Sequence, residues 1–321
     1  MGEITSILWT GLGWPLTRLV ILISIGLLVA NFIESLNWTH GMARLSRPLI
    51  RIGHLSDTCG ASFSMAFFSG VAANTMLSEA YDKERINKQE LILANLFNSL
   101  PIYFLHLPTM FFITVPLIKS AAFTYIGLTL VATLLRTILV LLVGRSMLPV
   151  RLETGAEYVH ENGRVKSWQE AFLKAWKNYR KRIRRVILFT VPIYIFFFLS
   201  NQAGLFQWLE QQMASHLFIL SWLHPQSIGI VIFHIASEFT AGLAAAGALL
   251  DSGTLGHREI ILALLAGNVL SSPIRAVRHQ FPFYAGIFST RLASELIIWN
   301  QFLRLASVVV VGVAYYRLSI P

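Results

Sequence analysis

The sequence predicts an all-α polytopic membrane protein, an inverted repeat of spanning helix, surface helix, re-entrant hairpin, broken helix and spanning helix. Three observations predict it. Only 13% of the 321 residues are charged and 55% are hydrophobic, with 22 Phe and 8 Trp, against roughly 25% and 45–50% in soluble proteins. Apolar windows of about 20 residues, enough to cross a bilayer, recur along the chain. The two halves also repeat Arg, Gly and acidic positions in the same order. This composition excludes a soluble enzyme and a disordered chain. A single cysteine, Cys59, excludes an internal disulfide and a multi-cysteine metal site.

Taken in order, 15–36 is a spanning window; no Lys or Arg precedes Arg18 within the window's approach and no small-residue cleavage site follows, so it is not a signal peptide. Window 58–80 opens on Cys59-Gly60-Ala61-Ser62 and is rich in small and hydroxyl residues. Such a stretch suits a re-entrant hairpin, since irregular backbone at membrane depth must be packed closely by protein. Window 88–118 carries Pro101, Pro108 and Pro116 and should be a broken helix. A span at 121–143 completes the first half. The second half follows with a span at 186–204, a hairpin at 225–250, a broken helix at 257–288 carrying Pro273 and Pro282, and a span at 292–317.

The internal match pairs Phe67-Phe68-Ser69-Gly70-Val71-Ala72-Ala73 with Phe239-Thr240-Ala241-Gly242-Leu243-Ala244-Ala245, and Glu79 with Asp251. It also pairs Glu90 with Glu259, Arg136 with Arg304 and Gly144 with Gly312. Three crossings per half force the second repeat to enter the membrane upside down. The expected units are a first repeat at 15–143, a basic cytoplasmic loop at 144–185 and a second, inverted repeat at 186–317.

Charge sets the orientation. Of 26 Lys and Arg, 11 fall in 145–185 against four Glu, as cytoplasmic loops collect them. The +10 net charge therefore reports topology and not a nucleic-acid partner. Segment 167–185, with Trp168, Phe172, Leu173 and Trp176 among its cations, reads as an amphipathic helix on anionic lipid. Both termini are expected outside the cytoplasm, in an inner-type cell membrane.

Candidate site residues are polar groups at membrane depth. Asn95, Asn98 and Ser99 flank the first expected break, and Asn268, Ser271 and Ser272 the second; they can bond a solute or repair broken helices. Glu238 stands deep in the second hairpin, where a carboxylate is costly unless paired or wetted. It can bind substrate hydroxyls or a coupling cation, with His234 a candidate proton partner, or form an ion pair with Arg275, Arg278, Arg136 or Arg304 that fixes hairpin packing. Arg136, Arg304, Arg275 and Arg278 can bind an anion through a charged fork, or act structurally by snorkelling or capping. No phosphate-loop, H-E-x-x-H or G-x-S-x-G signature is present, so no enzyme is predicted.

Ser237-Glu238-Phe239-Thr240-Ala241 resembles the Asn-Glu-Phe-Val-Ala motif of the Gate-domain (nucleoside recognition) membrane proteins, which include concentrative nucleoside transporters. Gly267-Asn268-Val269-Leu270-Ser271-Ser272 is similar to their unwound-helix stretch. The resemblance implies ribose binding by Glu238, Asn268 and Ser271 or Ser272. At the first hairpin, Asn74-Thr75-Met76 stands where the family has Gln-Thr-Glu, a departure that affects nucleobase recognition. The expected function is secondary transport of a small polar solute, nucleoside-like or an organic anion, with Asn74, Thr75, Asn95 and Asn98 at its other end. A Na+ or H+ gradient would drive it, with no resident metal or cofactor and with homo-oligomers compatible. The alternative is a non-transporting scaffold or regulatory subunit that recruits partners through the basic loop.

Overall fold

A computed structural model describes residues 46–149, 223–236 and 239–319 continuously, and part of the residues within 9–28 and 169–203. For a few helical positions, Arg278 among them, it describes the backbone alone. The spans expected at 15–36 and 186–204 and the basic segment 144–185 therefore lie largely outside the described residues. Ser237 and Glu238 lie wholly outside them.

Every regular element among the described residues is helical. After a short α1 (Ser46–Ile52), the first small-residue window folds into two packed arms, α2 (Asp57–Ala66) and α3 (Gly70–Asp82). The Ser69 hydroxyl caps α3 by accepting from the Ala72 amide at 3.2 Å. Next comes α4 (Lys88–Phe97), capped by Asn87, whose Oδ1 accepts from the Glu90 amide at 2.8 Å. Glu90 is buried and reaches back to α2: its Oε1 accepts from the Ser56 amide at 2.9 Å and from the Cys59 thiol at 3.4 Å. A carboxylate at the start of one helix thus satisfies the open amide at the start of another.

The helix breaks at Asn98 (φ −62°, ψ −9°), then continues as α5 (Ser99–Ile118). Pro101 cannot donate to the Phe97 carbonyl, which places the break where the sequence leads one to expect it. Pro108 and Pro116 are carried inside α5 without ending it. A turn at Lys119 (φ +51°) leads into α6 (Ala121–Met147).

The second half follows the same order: α7 (Ile228–Ala236), α8 (Phe239–Asp251), α9 (His257–Arg275), a π turn (Ala276–Gln280), α10 (Phe281–Ala285) and α11 (Thr290–Leu318). One expectation is corrected. The helix does not break around Asn268, Ser271 and Ser272, because α9 runs through all three and through Pro273. The irregularity comes later, in the π turn just before Pro282, where an extra residue in the turn accommodates the missing amide. The pairing of Glu79 with Asp251 is also out of register with the helices. α3 and α8 have 13 residues each and end on Asp82 and Asp251.

Among the described residues, three helices are long and apolar enough to cross a membrane: 88–118, 121–147 and 290–318. The window 257–288 is not among them. Its longest helix has 19 residues, opens on His257, Arg258 and Glu259, and closes on Arg275. At 1.5 Å per residue, α6 and α11 extend about 40 Å, more than the roughly 30 Å of a hydrocarbon core. Their outer faces match that solvent. Val131, Leu134, Ile138 and Leu142 on α6, and Ile298, Phe302, Val309 and Val313 on α11, are exposed at helical spacing. Water would not tolerate an apolar surface this extensive on a lone chain.

The interior divides into two apolar cores, one around each hairpin. α6 gives Ala121, Ala122, Tyr125 and Ile126 to the core of the second hairpin, and Val140 and Leu141 to the core of the first. α11 does the reverse, with Leu292, Ala293 and Leu296 beside the first hairpin and Val308 and Val311 beside the second. The two helices pack together, so they run antiparallel.

Glycine permits two close backbone approaches. A Cβ on Gly247 would lie 2.6 Å from the Leu117 carbonyl oxygen, and one on Gly144 would lie 2.5 Å from that of Gly53. Gly247→Val and Gly144→Val should each lower stability by about 1–3 kcal/mol in thermal unfolding of the detergent-solubilised protein. Gly127→Ala, with nothing near its Cβ position, should leave the melting temperature unchanged or higher.

Candidate functional site

Between the two cores, at mid-helix, stand two arginines. Arg304 is the middle residue of the 29 in α11, and Arg136 is the sixteenth of 27 in α6. A guanidinium so far from either end of a spanning helix cannot readily snorkel to water. Each is held by a neutral acceptor from its own half's broken helix. Arg136 Nε donates to Ser99 Oγ at 3.1 Å, and an Arg304 Nη donates to Asn268 Oδ1 at 3.3 Å. Arg275 donates to the same Asn268 oxygen at 3.2 Å. The Asn268 amide in turn donates to the Tyr125 hydroxyl at 3.4 Å. Arg136 is buried, whereas Arg275 and Arg304 keep part of their surface open. Arg136 lies within the field of Arg304, and Arg304 within that of Arg275.

His234, on the first arm of the second hairpin, faces this group. It is 1% exposed, and neither ring nitrogen has a hydrogen-bond partner among the described residues. Its ring occupies the space left by Gly242 and Gly267, so that a Cβ at either glycine would collide with it. Phe239 meets the His234 ring edge-on at 5.7 Å and stacks on Tyr125 at 6.2 Å. Glu238 lies outside the described residues, but the residue that follows it in the chain lines the site.

Other sequence-predicted residues form a second cluster. Asn95 donates to Asn74 Oδ1 at 2.9 Å and to the Tyr284 hydroxyl at 3.2 Å. Asn98 donates to Ser62 Oγ at 2.8 Å, and Ser62 donates to the Ala73 carbonyl at 3.1 Å across the hairpin. The remaining oxygens of Asn95 and Asn98 are buried without a partner among the described residues. Two expectations find a humbler place. The Thr75 side chain is exposed and bonds its own helix at Val71, and Ser271 bonds only the Asn268 carbonyl at 3.5 Å. Ser272 donates to Gln301 Oε1 at 2.7 Å, and Gln301 donates to Gln280 at 3.1 Å. Arg278 falls in the π turn, and its side chain is outside the described residues.

Sequence reasoning missed Ser62, Tyr125, Tyr284 and Gln301. Gln301 carried a usable signal, as a polar residue one turn before Arg304 in a spanning helix. Tyr125 and Tyr284 read as ordinary membrane aromatics.

Comparison with known proteins adds breadth without chemistry. Three proteins of Methanocaldococcus jannaschii are similar to the chain. Uncharacterized protein MJ0871 is 23% identical over 286 residues, covering 88% of this chain and 87% of its own length. Uncharacterized protein MJ0880 is 23% identical, covering 89% and 92%. Uncharacterized protein MJ1556 is 24% identical, covering 88% of each. No family profile and no solved structure matches the chain.

Asn98→Leu should cost about 1–3 kcal/mol, because Ser62 would lose the amide that bonds it in a buried place. Thr75→Ala should stay within about 0.5 kcal/mol of the parent. Chemical denaturation in mixed micelles would measure both.

Proposed function

We propose that the chain is a secondary transporter of a small polar solute, working by alternating access and built as an inverted repeat of Gate-domain type. One observation carries the reading. Neighbouring residues of each broken helix play matching parts 169 positions apart. Asn98 contacts the first arm of its hairpin at Ser62, and Gly267 contacts the first arm of the other hairpin at His234. The next residues, Ser99 and Asn268, hold Arg136 and Arg304.

The hairpins close with matching turns at the same displacement. The amides of 83, 84 and 85 bond the carbonyls of 79, 81 and 80, and those of 252, 253 and 254 bond the carbonyls of 248, 250 and 249. Glu84 and Gly253 take the positive-φ place in the two turns. The antiparallel α6 and α11 supply the inversion. A site at the repeat interface, near the bilayer midplane, is where such transporters hold their solutes.

Ion pairs join the halves at opposite ends of this arrangement. Lys88 pairs with Glu295 at 2.5 Å, and Lys119 pairs with Asp251 at 2.6 Å. Both are exposed enough to break and re-form cheaply, as alternating access needs. Coupling to Na+ or H+, and a cell-membrane location with both termini outside, complete the proposal. The exposed Phe172, Leu173 and Trp176 favour a lipid surface for the segment around them over a partner-recruiting scaffold.

In a Cys59→Ser background, cysteines at the exposed Ser120 and Thr290 should be labelled from opposite sides of sealed vesicles by an impermeant maleimide. Labelling from one side sinks the inverted repeat. In proteoliposomes, Asn268→Ala should reduce solute uptake about tenfold or more, given about 1.5–3 kcal/mol for a lost bond to a charged group. Unchanged uptake would remove Asn268 from the site.

A further inference from the structure

Among the described residues no carboxylate is paired with Arg136 or Arg304; Glu238 lies outside them. The carboxylates described with ion partners lie toward helix ends: Glu79 pairs with Lys83, Glu295 with Lys88, and Asp251 with Lys119. Glu90 is engaged by Ser56 and Cys59. Arg136 and Arg304 have only neutral acceptors among the described residues, and each stands in the other's neighbourhood. Two like charges in a poorly solvated interior repel, and each adds to the desolvation cost of the other. A purely structural cap would be served as well by Gln without that cost.

His234 supplies an independent observation. A buried imidazole with both nitrogens unbonded loses the hydrogen bonds water would give it. Its ring lies against Gly267, next in the chain to Asn268, within the field of Arg275 and Arg304. An unused donor therefore faces a group of cations.

Resting on the transporter reading above, we propose that the solute is a small oxyanion, a carboxylate or phosphate compound, whose charged group is held between Arg304 and Arg136 with His234 donating a hydrogen bond to it. Guanidinium forks match such groups in geometry as well as charge. The bound anion would replace repulsion between the arginines by attraction of both to one partner. Asn268 would keep Arg304 aimed while the site is empty. A neutral nucleoside would leave the two charges facing each other, which sets this proposal against the ribose-binding expectation.

The test uses the purified full-length protein in detergent, with melting temperature followed against sodium phosphate, sodium succinate and uridine at ionic strength matched with sodium chloride. Phosphate or succinate should raise the melting temperature saturably, and uridine should not. Arg304→Gln and Arg136→Gln should weaken the anion's apparent affinity by about tenfold or more. Arg304→Lys should fall between, and it keeps the test valid if the neutral variants do not fold. His234→Ala should weaken affinity while leaving the anion preference intact.

A saturable shift with uridine and none with either anion overturns the proposal and leaves the transporter reading standing. An equal shift with sodium chloride alone overturns it as mere screening. Saturable anion binding without uptake into proteoliposomes supports the site and counts against transport.

Discussion

Two guanidinium groups at the centre of two antiparallel spanning helices are the constraint on which the rest of this structure turns. A cation at the bilayer centre costs several kcal/mol unless protein groups solvate it. The chain meets that cost with side-chain acceptors on neighbouring helices. The first broken helix delivers Ser99 to Arg136 beside its break, and the second long helix delivers Asn268 to Arg304 and Arg275. Hairpins of small residues then fill the space beside those helices, with buried alanines and glycine along α8. The outer apolar faces of α6 and α11 are left for lipid.

The two halves solve one packing problem with opposite choices of size. Where the first half sets a small Ser62 against a long Asn98, the second sets a large His234 against Gly267. In the first half Asn98 donates to Ser62, although the Asn98 oxygen has no partner among the described residues. In the second half the imidazole is left unbonded and the backbone beside it carries no side chain. The two hairpins thus differ: the first is tied to its neighbouring helix by a hydrogen bond, and the second packs an unbonded ring against a glycine.

Much of this was legible in the sequence. The all-helical class, the three apolar helices and the small-residue hairpins follow from composition and spacing. The break at Asn98 follows from Pro101, because a missing amide acts on the turn before it. The second break was misplaced for an equally physical reason. Pro273 is absorbed within α9, and the chain relieves Pro282 by widening a turn into a π turn, a choice that depends on packing around the helix. Arg136 and Arg304 stood out as charges inside spans, but their closeness did not, since nothing in a one-dimensional pattern says that two mid-helix positions share a depth and a face. Ser62 and Tyr125 were invisible for the same reason. Thr75 looked polar and well placed, yet its helix turns it outward.

The central proposal is that Arg136 and Arg304, which have only neutral acceptors among the described residues, share a bound anion, and a double-mutant cycle tests it most directly. Stability would be measured for the parent, Arg136→Met, Arg304→Met and the double variant, first without multivalent anions and then with saturating phosphate or succinate. Repulsion in the empty site predicts that neutralising either arginine relieves the other, so that the double variant is less stable than the sum of the single effects implies. Saturating anion should abolish or reverse the sign of that coupling. Strict additivity under both conditions would contradict the account, since it would mean that the two arginines neither sense each other nor share a ligand.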